Sequence, residues 1–209
     1  MIIRNLKIGM VLAANGDAIG IQASTNVWID HNELYSDLDH DKDYYDGLVD
    51  VSHASEWVTI SNNHIHDHHK ASLTGHSDSN ADEDTGHLHV TYANNHWQNI
   101  ASRAPSVRFG TVHIFNQYYE NITSSGINTR QGAQVLVEST VFVDAEKPIT
   151  AAYSDVQGFA NVNDLDLGGG ENDAPVGTLT SEEYEYTLIG SAGVRAAVVG
   201  VAGNTLTLG

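Results

Sequence analysis

NVWIDHNEL at residues 26–34 returns in altered form as WVTISNNHI (57–65), HVTYANNHW (89–97), TVHIFNQYY (111–119) and QVLVESTVF (134–142). Each copy sets β-branched or aromatic residues at alternate positions, then mostly an Asn, then another apolar pair. MIIRNLKIG (1–9) is a weaker first copy and reads as a strand. From Ile2 through Val27, Val58, Val90, Val112 and Val135 the spacings are 25, 31, 32, 22 and 23 residues. A short period lengthened by insertions marks a solenoid, whose unit buries its apolar face only against its neighbours. Strand-only units of this length predict an all-β parallel β-helix, with strand stacked on strand. A sandwich of hairpins is the alternative, but Asn15-Gly16 is the sole Asn-Gly turn signal it has. Asn62, Asn94 and Asn116 share one offset, so stacking predicts an amide ladder along the axis.

Composition narrows the function classes. The 209 residues are 41% hydrophobic and 17% charged, a globular balance with length enough for one sizeable core. Asp and Glu number 27 against nine Lys and Arg, a formal charge of −18, which argues against non-specific nucleic-acid binding. Absence of cysteine excludes disulfides, thiolate metal sites and thiol nucleophiles. No apolar run approaches the roughly 20 residues of a membrane span. No leader pattern precedes the first strand, so the chain is either cytosolic or begins inside a longer ancestor. Gly, Asn and Asp make 162–183 a loop. A short helix is expected near 191–199, packing back on the solenoid. The expected organisation is one domain over 1–209, with the loop and tail of about 160–209 lying against the β-helix.

Polar residues that interrupt the repeat are the candidates for chemistry. Asp46 and Asp50 stand four apart, and in a strand that spacing points both carboxylates one way. Asp17 lies one repeat earlier with Asn15 two residues before it, so register stacking would gather Asp17, Asp46 and Asp50 on one face. Such hard oxygen donors suit Ca²⁺; a solvated acidic face is the plainer reading of these residues alone. His64, His66, His68, His69 and His76 crowd one stretch and offer imidazoles to a transition metal. They lack the glutamate motif or helical spacing of a zinc enzyme, and strand-edge packing is the alternative. Lys70, Arg103 and Arg108 put three of the few cations on successive turns. Ion pairing with acidic neighbours explains the arginines singly; together with a bound cation they make a groove for a polymeric anion.

NVWIDHNEL, DGLVDVSHASEWVTISNNHIHDHHKASLTGHSD and RAPSVRFG resemble the pectate lyase family, which shares its fold with pectin lyases and plant pollen allergens. The resemblance is to the fungal members and runs along the whole chain. It implies a right-handed, single-stranded parallel β-helix and calcium-dependent β-elimination of polygalacturonate. It carries the family's calcium ligands onto Asp17, Asp46 and Asp50, with Asn15 at a further ligand position where many members have Asp. The catalytic base falls on Arg103, and the substrate-carboxylate binders on Lys70 and Arg108. Asp30 and His31 of the WIDH motif become hallmark residues that support structure near the site.

The resemblance further implies secretion and a polygalacturonate partner, with no nucleic acid or membrane and a monomeric state. Family members carry a leader and several turns before the position where this chain starts, so the β-helix is expected to be N-terminally truncated relative to them. Its open end would then invite association. Asn121-Ile122-Thr123 is a glycosylation sequon that fits secretion. Pectin lyases, which need no Ca²⁺, are the rival within the fold; the Asp17, Asp46, Asp50 and Lys70 set favours pectate. A non-catalytic β-helix that binds acidic polysaccharide is the rival from another class. Trp28, Trp57 and Trp97 read as core or stacking residues.

Overall fold

The computed structural model describes residues 1–207. Alternating apolar residues wind the chain into a coil with three parallel faces. The first holds Ile2–Arg4, Thr25–Asp30, Glu56–Ser61, His89–Ala93, Thr111–Phe115 and the start of Gln134–Ala145, in that stacking order. The second holds Lys7–Gly9, Glu33–Tyr35, His64–Lys70, His96–Ser102, Tyr118–Ile122 and the end of Gln134–Ala145. The third is a six-stranded sheet of Ile19–Gln22, Val49–Ser52, Ser72–Thr74, Ser106–Arg108, Ile127–Arg130 and Ile149–Thr150. Every strand pair in these faces is parallel. The architecture is the parallel β-helix that the repeat predicts.

Register explains how the repeat works. Val27, Val58, Val90, Val112 and Val135 stack directly on one another, as their spacing requires. Ile2 does not join that column; it pairs with Trp28, one residue on. The first segment is also two strands, because Asn5 bends it at φ 58°. Inside the second face Leu34, Ile65, Trp97, Tyr119 and Phe142 form a buried column. Tyr119 stacks on Trp97 at 5.7 Å and on Phe142 at 4.3 Å, so Trp97 is a core residue. Truncating such a buried aromatic costs about 3–5 kcal/mol.

The amide ladder exists but sits one residue beyond the predicted offset. Asn62, Asn94 and Asn116 are the corner residues between the first and second faces, with φ of 54°, 55° and 54°. Asn is favoured there because it tolerates the left-handed region. The ladder belongs to the buried Asn32, Asn63 and Asn95 that follow such corners. Asn63 Oδ1 accepts from the Asn32 backbone N–H at 2.8 Å and the Asn32 amide at 3.0 Å; Asn95 Oδ1 repeats this towards Asn63 at 2.8 and 3.1 Å. Each amide is thus both donor and acceptor, leaving no buried polar cost.

One further expectation changes. Residues 162–166, read as loop, belong to the strand Phe159–Asp166, which pairs with Gln134–Ala145. Backbone pairing with a ready edge outweighs the Asn and Asp content there. The acidic stretch 79–86 contains the one-turn helix Ala81–Asp84, and buried Asp84 accepts from the Ala54 backbone N–H at 2.9 Å. The helix Ser191–Val198 forms where expected and sets Val194 and Val198 against Tyr118 and Val141.

Candidate functional site

The third face and the bends around it gather the charged candidates. Asp17 precedes Ile19–Gln22, Asp46 precedes Val49–Ser52, and Asp50 lies on that second strand. Asp46 is therefore a loop residue, brought beside Asp50 by the turn at Gly47 and not by strand alternation. Gly47 is required: a Cβ there would stand 2.5 Å from Asp50 Oδ1. Asp17 Oδ1 accepts from the Gly47 N–H and Asp50 Oδ1 from the Leu73 N–H, each at 2.9 Å. Those two backbone donors hold the carboxylates in place without neutralising them.

Like charge therefore accumulates. Burial, and then the Asp17 charge, push the Asp50 carboxyl well above the usual carboxylate range. Burial and the Asp46 charge raise the Asp17 carboxyl against the pull of the Gly47 N–H and Lys70. Two carboxyls raised in this way, with the Asp46 charge beside them, offer hard oxygens whose repulsion a cation would relieve. Among the described residues no group of three or more His, Asp or Glu is placed as a metal site, Asp17, Asp46 and Asp50 included. Asp17, Asp46 and Asp50 supply hard oxygens on one side of the coil, and an ion held there would need most of its six to eight oxygens from water and ligand. Asn15 is exposed at the end of the turn Ala13–Asn15, and no hydrogen bond ties its side chain to the three.

The cations stand one layer further along. Lys70 ends the strand His64–Lys70, and its register partner is Ser102, so Arg103 emerges directly beyond it. Lys70 Nζ lies 3.0 Å from Asp43 and 3.7 Å from Asp46. Asp43, paired also with Lys42, is pulled down to about 2. Arg103 is half-buried at a left-handed corner, φ 62°. Burial first, and then the Arg108 charge, lower its guanidinium from the ordinary value; Asp50, Asp46 and Asp43 oppose this. Arg108 is 7% exposed and enclosed: its Nε donates to Asp78 and its Nη1 to the Gly75 carbonyl at 3.0 Å.

Arg130 escaped the sequence reading. It stacks in register on Arg108, and its Nη2 donates to the same Asp78 at 2.7 Å. The 22-residue step that carries Val90 to Val112 also carries Arg108 to Arg130, so the period held the signal. A cavity of about 200 Å³ opens beside Arg103, lined by Ser106, Asn128, Arg130 and Tyr153 among others. A cationic wall, hydroxyls, an amide and an aromatic edge suit an anionic sugar.

Other candidates lie elsewhere. Asp30 and His31 stand at the corner between the first and second faces, not on the third, which corrects their expected place near the site. Buried Asp30 accepts from His31, Ser61 and Asn62 at 2.8 Å each and pairs with Arg4 at 2.8 Å; the cluster ties the first three coils together. The histidines share no common ligand point: His64 stacks on His66 and His96 at 4.2 and 4.6 Å, His68 is buried, and His76 stacks on His53. Asn121 of the sequon is exposed and donates to Asn99 at 2.9 Å.

A family model described as pectate lyase matches residues 1–205. Pectate lyase B of Colletotrichum gloeosporioides is 63% identical over 208 residues, covering 99% of this chain and 63% of that protein. Pectate lyase A of Aspergillus niger is 65% identical over 207 residues, covering 99% and 63%. A pectate lyase from Bacillus sp. N165, solved in complex with trigalacturonate, matches with a TM-score of 0.86 at 32% identity, over 97% of this chain and 67% of that one. Pectate lyase C from Erwinia chrysanthemi, solved with 30 mM Ca²⁺, gives 0.85 at 30% identity, over 100% and 67%. The chain spans 63% of the length of these curated relatives.

Proposed function

The chain belongs to the pectate lyase family, and from that premise we propose that it is a calcium-dependent pectate lyase cleaving de-esterified polygalacturonate by β-elimination to unsaturated oligogalacturonates. The observation that carries this reading is the pairing of a partly desolvated Arg103, its guanidinium lowered by burial and Arg108, with the mutually repelling Asp17 and Asp50 and their neighbour Asp46 on the same side of the coil.

The elimination removes the proton at C5, alpha to the uronate carboxylate; the C4–O bond breaks, a C4=C5 double bond forms, and the leaving oxygen takes a proton from solvent. Arg103 is the base. A guanidinium ordinarily keeps its proton, so a base role needs surroundings that disfavour its charge, and burial beside Arg108 provides them. Lys70 and Arg108 set positive charge where carboxylate charge grows in the transition state. With two of its donors already used, Arg108 acts largely through its field, and Arg130 presents its cation to the cavity beside Arg103. Asp17, Asp46 and Asp50, with Asn15 at the rim, would hold the metal. Calcium, when bound, neutralises the uronate charge and so makes the C5 proton more acidic.

The same reading takes the protein to be secreted and monomeric, with 1–209 as one domain whose tail is seated by Val194 and Val198. Among the described residues no helix is long and apolar enough to cross a membrane. The deciding assay is ultraviolet detection of unsaturated uronides from polygalacturonate, first with Ca²⁺ and then with excess chelator. Absorbance that appears only with Ca²⁺ is expected. Absence of product from folded protein, or product unaffected by chelator, overturns the assignment.

A further inference from the structure

A second binding surface lies on the first face, away from the carboxylates and Arg103. A groove of about 440 Å³ runs between that face and residues 182–187, within the range of sites that hold small ligands. Along one wall Trp57 is 60% exposed yet fixed in orientation: its ring stacks on His89 at 4.6 Å and 18°. The His89 ring is held in turn by Glu56 at 2.7 Å. The facing wall is equally constrained. The Tyr184 hydroxyl lies 3.0 Å from Thr91 Oγ1 and 2.7 Å from His113 Nδ1, and the Tyr186 hydroxyl donates to Glu138 at 2.8 Å. Walls held before a ligand arrives lower the ordering cost of binding.

Between them is an unanswered group. Asn94 lines the groove, and its Oδ1 is buried without a hydrogen-bond partner. Such an acceptor costs free energy until a donor meets it. The titratable groups here are Glu182, Glu185, His89 and the tyrosines, with no Lys or Arg among the lining residues. Burial raises the Glu182 carboxyl, and its oxygens can accept from a hydroxyl. The electrostatics are thus opposite to those at Arg103: this groove repels uronates. A flat aromatic face, an orphan acceptor and carboxyl oxygens match a ring with a C–H face and hydroxyl donors.

We propose that the groove of Trp57, His89, Asn94, Glu182 and Tyr184 binds an uncharged hexopyranose oligosaccharide. The sugar ring lies on the Trp57 indole, and one hydroxyl donates to Asn94 Oδ1.

The test titrates the full chain, carrying Trp28→Phe so that Trp57 is the exposed fluorophore, with galactotetraose, cellotetraose, trigalacturonate and choline. Saturable quenching by a neutral tetraose is expected, with none from trigalacturonate. Trp57→Ala should weaken binding, followed by calorimetry, about tenfold or more. Asn94→Gly, which keeps the corner's backbone freedom, should weaken it several-fold. No saturable response to either neutral tetraose in folded protein overturns the proposal. So does equal quenching by trigalacturonate, quenching by choline alone, or unchanged binding in Trp57→Ala. Polygalacturonate cleavage by Trp57→Ala is measured alongside. In the protein with Trp57 intact, absent tetraose binding alongside normal cleavage rejects this site alone, and absent cleavage alongside normal tetraose binding rejects only the lyase assignment.

Discussion

The corner between the first and second faces and the rim of the third face use one device for opposite ends. Both stack polar side chains at the coil's own period. At the corner Asn32, Asn63 and Asn95 answer each other, donor to acceptor, and nothing is left over. At the rim Asp17, Asp46 and Asp50 repel, and Arg103 is pressed by burial and by Arg108. A satisfied polar stack holds a coil in register; an unsatisfied one is a demand for ligand. The third face keeps that demand because its like charges face one another across the coils.

Changes at the two places should separate these roles. The largest effect is expected from Arg103→Ala: uronide formation, followed in the ultraviolet, falls by about a thousandfold or more, while the melting temperature barely moves. A comparable loss of fold would show that Arg103 belongs to the scaffold. Asn63→Ala is the reverse case. It strands Asn32 and Asn95 groups in a dry interior and should cost about 2–4 kcal/mol in chemical denaturation, with activity per folded molecule unchanged.

The next effect is a pH dependence carried by a buried histidine of the scaffold. His96 is 5% exposed and burial lowers it to about 4 from 6.5. Its folded pKa lies below its unfolded one, so the unfolded chain binds the proton first. Stability is therefore full above pH 6.5, is lost as pH falls, and stops falling from this cause below about pH 4. The change amounts to about 2–3 kcal/mol, and His96→Gln should remove that portion from the denaturation profile; an unaltered profile would locate acid sensitivity elsewhere. The smallest expected effect is at the rim. Without Ca²⁺, Asp50→Asn relieves repulsion and should stabilise the fold by about 1 kcal/mol. It should also abolish the rise in melting temperature expected of the unaltered protein in millimolar Ca²⁺. Destabilisation by Asp50→Asn would mean the carboxylate serves the fold.

Much of this was legible before any coordinates. The valine column announces itself by spacing, since parallel in-register stacking makes one residue per coil equivalent. Lys70, Arg103 and Arg108 stood out as scarce cations in an acidic chain. What slipped was single-residue detail. Asn62, Asn94 and Asn116 share an offset with the ladder's neighbours, and composition cannot tell a left-handed corner from the amide that follows it. Arg130 was missed although the 22-residue step points to it. Asp30 and His31 were placed by motif and not by face, and a corner one third of a coil away looks adjacent in sequence.

Sequence by itself determined the parallel β-helix, its strand columns and the identity of the charged residues, because periodicity in burial and charge scarcity are properties of composition and spacing. Tertiary structure alone decided that Arg108 is enclosed by Asp78, that Asp46 reaches Asp50 through Gly47, and that a groove with an orphan Asn94 lies under residues 182–187. Those outcomes depend on where insertions of unequal length return the chain. Desolvation and Coulomb energy depend on distances across coils, which no local pattern encodes.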